Sequence, residues 1–124
     1  MLVCSCATIK DSSILNGTWI PTHQEINGST LPKAVFEKQR LVISDTTYTL
    51  QAESIDKGTM VIGEKTMDIY SKEGVNTGKH FTALYKIENG ELTICYNLAG
   101  TSYPVSFETK GNPKLFLSAF RKIE

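Results

Sequence analysis

The sequence predicts an all-β fold: an up-and-down antiparallel barrel of about eight strands with one short helix. Three observations predict it. Apolar and polar residues alternate with a period of two through most of the chain, the spacing of a half-buried strand and not the 3.6 of a helix. Turn residues recur between these runs, and Asn89-Gly90 is the strongest of them. A meander of this many strands loses its unpaired edges by closing on itself. With 124 residues there is length for one domain. Residues 15–124 read as the barrel and residues 1–14 as a leader or tether.

The first strand is expected from Gly17 to about Gln24. Only residues 31–38 look helical, since Thr30 can cap, Pro32 suits a first turn, and Val35 and Phe36 offer an apolar side. Three hairpins follow, each with a register set by its turn. A turn at Asp45-Thr46 places Ile43 against Tyr48 and Leu41 against Leu50, with Arg40, Val42, Thr49 and Gln51 outside. A turn at Glu64-Lys65 places Ile62 against Met67 and Met60 against Ile69, with Val61 and Asp68 outside. Asn89 and Gly90 both tolerate the positive φ of a type I′ turn. A two-residue loop there pairs Ile87 with Leu92, Tyr85 with Ile94, Ala83 with Tyr96 and Phe81 with Leu98, leaving Thr82, Leu84, Thr93 and Cys95 on the other face. The chain closes with a strand over 103–109, a turn at Gly111-Asn112-Pro113, and a last strand over 115–122.

This register defines an inner face. Leu41, Ile43, Tyr48, Leu50, Met60, Ile62, Met67, Ile69, Phe81, Tyr85, Ile94 and Tyr96 are expected to line the barrel. An eight-stranded barrel is at the size where side chains fill the interior or leave room for one small ligand. Strands of about seven residues make a short barrel, which favours filling. Methionines and tyrosines on the inner face favour an apolar cavity with polar tips.

The opening Leu15-Asn16-Gly17-Thr18-Trp19 and the closing Phe120-Arg121 resemble a lipocalin-like barrel. More of the chain resembles an uncharacterised bacterial lipocalin-like domain family first grouped from planctomycetes. The shared features begin with Leu15-x-Gly17-x-Trp19, Asn27-Gly28 ahead of Leu31-Pro32, Met67-Asp68-Ile69 and Gly78-Lys79. Leu84-Tyr85-Lys86 through Cys95, Pro104-x-x-Phe107 and Arg121 continue them, so the resemblance spans residues 15–123. It implies that Gly17 permits close approach at one barrel end, Trp19 caps the core, and Arg121 lies over the Trp19 face, a cation–π contact. Tyr103 stands before Pro104 where the family pattern has arginine. The family has no firmly assigned activity, so the resemblance carries fold further than function.

Thirteen Lys and Arg balance thirteen Asp and Glu, and a net charge of zero supplies no field for a nucleic-acid backbone. No apolar run approaches the ~18 residues of a membrane-spanning helix. Of three cysteines, Cys95 reads as a small packed residue. Cys4 and Cys6 form a C-x-C pair with no second ligand cluster for zinc. Val3-Cys4-Ser5-Cys6 resembles the tail of a bacterial lipoprotein signal, with Cys6 as the acylated residue and residues 8–13 as a polar tether. The apolar and basic regions of such a signal are missing. The leader therefore reads either as a trimmed signal, which places the domain at the cell envelope on a lipid anchor, or as the start of an untargeted cytoplasmic protein.

Catalytic and phosphate-binding motifs are absent from the sequence, and His23 and His80 fall in separate strands with no motif around either. Both His80 and Asp68 are expected on the outer face, solvated. No enzyme, cofactor or metal site is expected. Two functions remain. The first is a non-enzymatic barrel holding a small hydrophobic ligand at the bacterial cell envelope, which predicts a cavity of at least ~300 Å³. The second is a ligand-free structural or protein-interaction module with a filled core and an exposed apolar patch including Val42, Val61 and Leu84.

Overall fold

Alternation and turn chemistry produce nine strands in the computed structural model, which describes residues 12–123. A 3₁₀ turn, Ser12–Leu15, leads into β1 (Gly17–Ile26), β2 (Ser29–Thr30) and the one-turn helix α1 (Lys33–Phe36). Then follow β3 (Arg40–Ser44), β4 (Thr47–Gln51), β5 (Ile55–Ile62), β6 (Thr66–Gly74), β7 (His80–Glu88), β8 (Glu91–Asn97) and β9 (Leu115–Lys122). From β3 to β9 each strand pairs antiparallel with the next, and β9 returns to β1. Eight strands thus close into a barrel of the lipocalin-like kind, and β2 is a two-residue extension on β1.

At one end the strands are joined by tight turns, and their registers are the expected ones. Ile43 faces Tyr48 and Leu41 faces Leu50. Met60 faces Ile69 and Ile62 faces Met67. Tyr85 faces Ile94 and Ile87 faces Leu92. Asn89 and Gly90 take φ of 54° and 79°, as their turn requires. The weaker Glu64-Lys65 turn is held from outside, because the Tyr85 hydroxyl donates to the Gly63 carbonyl at 2.8 Å. The Asp45 turn is tied to the entry of β1, where Asn16 Oδ1 accepts from the Asp45 N–H at 2.7 Å.

This end is also sealed. Trp19 is 2% exposed, and its indole N–H donates to the Leu15 carbonyl at 2.8 Å, fixing the 3₁₀ turn beneath the barrel. The cation over the indole is Lys122, whose Nζ lies 5.2 Å from the ring centroid, and not Arg121. Parity explains the correction: Trp19 pairs with Lys122 and shares its face, whereas Arg121 pairs with Ile20 and points outward. Gly17 opens β1 at φ 138°, a conformation that favours glycine.

The other end carries the long connections, and four expectations are corrected there. Asn27 and Gly28, at φ 51° and 79°, form a further hairpin turn that extends β1 to Ile26 and creates β2. The helix is four residues long, not eight. Thr30 sits in β2 rather than capping it, Phe36 alone is buried, and Val35 is exposed. One turn cannot present an amphipathic face. Residues 103–109 form no strand but part of a loop between β8 and β9. The β7–β8 ladder stops at Thr82–Asn97, because the chain turns there: the Ala99 N–H donates to Asn97 Oδ1 and the Gly100 N–H to the Asn97 carbonyl, so no rung forms beyond it.

That loop folds back over the outside of the barrel. Pro104 and Thr109 are buried under it, and the Ser102 carbonyl accepts from the Thr82 hydroxyl at 2.6 Å. The Thr109 hydroxyl donates to Glu25 at 2.9 Å and accepts from the Gly28 N–H, binding the loop to the β1–β2 turn. The outward face of β7, β8 and β9 is consequently a second packed layer, and Cys95 within it is fully buried.

Candidate ligand cavity

Inward parity gathers the apolar side chains of every barrel strand, and they do not fill the space between them. A cavity of about 160 Å³ remains, lined mainly by apolar atoms. This is about half the volume expected of a ligand-binding barrel, so the interior is neither solid nor as spacious as anticipated. The cavity reaches the loop-bearing end, where Leu98, 39% exposed, and half-buried Asn76 form its rim.

Ten of the twelve side chains expected inside line it: Leu41, Ile43, Tyr48, Leu50, Met60, Met67, Ile69, Phe81, Ile94 and Tyr96. Ile62 and Tyr85 do not. Both face inward and pack against the core, but they sit at the sealed end beyond the cavity floor, where the Tyr85 hydroxyl is committed to Gly63. Phe116 and Phe120 of β9 complete the apolar wall. The predicted acylation site, Cys6, lies outside the described residues.

The wall has a polar sector that the sequence reading did not assign. Asp56 on β5 is buried and accepts three hydrogen bonds. The Tyr48 hydroxyl (3.3 Å) and the Ser71 hydroxyl (2.5 Å) donate to Oδ1, and the Asn76 amide donates to Oδ2 at 3.3 Å. Burial, aided by the Asp56 charge and opposed by the Ser71 hydrogen bond, pushes the Tyr48 phenol up to about 12. Gly58 makes this arrangement reachable, because a Cβ there would collide with the Tyr70 carbonyl and crowd the Tyr48 ring. Across the cavity the Gln24 amide donates to Gln39 (3.0 Å) and Ser118 (3.1 Å), spanning β1, β9 and the segment before β3.

Tyr96 differs from the rest. Its ring stacks on Phe116 with centroids 5.7 Å apart, and its hydroxyl has no hydrogen-bond partner among the described residues. Burial raises its pKa, and nearby Tyr48 and Asp56 raise it further. A phenol held in this way remains a neutral donor, on a side chain that lines the cavity.

Asp56 could have been found by carrying the Met60 alternation back two steps through Gly58. Gln24 could not. A β-bulge at Thr22 reverses the parity of β1, so Gln24 turns inward opposite Ser118 although Trp19 parity puts it outside.

On the outer face, His80 and Asp68 are not simply solvated. His80 Nε2 lies 2.7 Å from Asp68 Oδ1, and its ring stacks on Tyr70 at 4.6 Å. Tyr103, carried there by the β8–β9 loop, donates to Asp68 Oδ2 at 2.6 Å. No family model, curated protein or solved structure matches the chain. Among the described residues no group of three or more His, Cys, Asp and Glu side chains is placed to hold a metal ion, and no helix is long and apolar enough to cross a membrane.

Proposed function

We propose that the protein is a non-enzymatic lipocalin-like binding module whose barrel holds one small, largely apolar molecule. The observation that carries this reading is the cavity itself, with its apolar walls and, among its lining residues, Tyr96, whose hydroxyl has no hydrogen-bond partner among the described residues. An apolar cavity of ~150 Å³ accommodates a molecule of benzene size, so the ligand is about one ring, not a long acyl chain. Under this proposal the leader tethers the barrel at the cell envelope through Cys6, where such a molecule would be met.

The alternative, a filled module acting through its surface, has less support. Of the three residues named for an apolar patch, Val61 is 62% exposed, while Val42 and Leu84 are half-buried. A single exposed valine is ordinary protein surface.

Native mass spectrometry of protein purified from its own host tests the proposal. A co-purifying small molecule, released on gentle denaturation, is the expected result. A ligand-free mass together with no thermal stabilisation by any small apolar compound would contradict it. The same spectrum reports whether Cys6 carries lipid, and an unmodified Cys6 would remove the anchor.

A further inference from the structure

Every charge on the cavity wall has one sign. Among the described residues that line it, Asp56 is the only carboxylic acid, and there is no Lys, Arg or His. From this we infer that the cavity selects a small apolar amine and turns away carboxylates. The inference rests on the reading of the cavity as a ligand site and specifies which head group that site accepts.

Hydrogen-bond capacity supports it. A carboxylate offers about four acceptor positions. Tyr48, Ser71 and Asn76 occupy three at Asp56, and Oδ2, with the single long bond from Asn76, keeps the free one. The three donors come from β4, β6 and the β6–β7 connection, so the acceptor is held in place before any ligand arrives. An ammonium or other donor entering from the rim meets this oxygen. The aromatic rings of Tyr48, Phe81, Tyr96, Phe116 and Phe120 around the space add faces that attract a cation.

The same wall rejects an anion. A bound carboxylate requires a cation or converging N–H donors. Here it would face Asp56 across one ring's width, where water is scarce and like charges repel strongly.

The test is calorimetric titration of the full chain with four probes of matched size: benzylamine, benzyl alcohol, toluene and benzoate. Benzylamine is expected to bind tightest, by about tenfold or more over benzoate, with the two neutral probes between. In Asp56→Asn the preference for benzylamine over benzyl alcohol should disappear while benzyl alcohol still binds. Benzoate binding as tightly as benzylamine would overturn the inference and leave the binding reading standing. If none of the four binds, neutral probes included, the cavity reading falls and the inference falls with it. The wild-type series decides the matter alone should Asp56→Asn fail to fold.

Discussion

The two ends of this barrel are built on different principles. One has three tight turns, a tryptophan resting on a 3₁₀ turn, and Lys122 across the indole. The other has a one-turn helix, a wall-covering loop, and the polar residues Asp56, Asn76 and Gln24 around an incompletely filled interior. The difference separates the end that holds the barrel together from the end where a ligand is proposed to bind. Close packing at the sealed end holds the strands in register, and that allows the opposite end to stay underpacked. Ligand sites commonly occupy such less tightly packed regions.

The first way to break this comparison is at the seal. Trp19→Ala should cost about 3–5 kcal/mol, because it removes a buried aromatic and leaves a cavity under the barrel. Urea unfolding measures this, and Leu98→Ala at the rim should cost less than about 1 kcal/mol by the same method. Equal losses at the two positions would erase the distinction.

A finer comparison lies between the two cavity tyrosines. Tyr48→Phe removes a donor to Asp56 and should destabilise by about 1–2 kcal/mol. Tyr96→Phe removes a hydroxyl with no hydrogen-bond partner among the described residues and should change stability by less than about 0.5 kcal/mol. Its effect should appear instead in ligand affinity. Denaturation curves for both variants, with and without benzyl alcohol, separate the two roles.

The outer layer gives a reactivity test. Burial, with the Glu25 charge adding to it, pushes the Cys95 thiol up to about 11. Cys95 should therefore resist iodoacetamide at pH 8 in the folded protein and react once it unfolds, as peptide mapping would show. Rapid native labelling would mean that the β8–β9 loop does not cover it.

The smallest effect concerns Asp68. The Tyr103 hydroxyl, against a lesser opposing effect of burial and with help from His80, holds its carboxyl below the ordinary 3.8. A depressed acid contributes stability above 3.8 that is lost as the pH falls through its folded value. Tyr103→Phe should move the Asp68 titration, followed by NMR, back up toward 3.8 and weaken this acid dependence. An unchanged titration would show that Tyr103 does not engage it.

The sealed end was legible because its information is local. Asn89-Gly90 and the alternation on either side of Asp45-Thr46 and Glu64-Lys65 specify partners a few residues apart. The loop-bearing end depends on distant contacts. The run 103–109 alternates like a strand, yet it finds its partners in Asp68 and Glu25 on the barrel exterior. Asn27-Gly28 carries the same turn chemistry as Asn89-Gly90, but β2 is two residues long and shows no alternation to reveal it. Ten cavity-lining residues followed from parity, whereas Gln24 was hidden by the bulge at Thr22 and Lys122 by expecting the cation one residue earlier.

Under the proposed function a ligand enters the underpacked end and stops above the seal. Methyl NMR during a benzyl alcohol titration tests it most directly. Saturable shifts are expected at Met60, Met67, Ile69 and Ile94, with Leu15 and Leu92 at the sealed end little changed. Shifts confined to surface methyls such as Val61 and Val105, or no saturable shift at all, would contradict it.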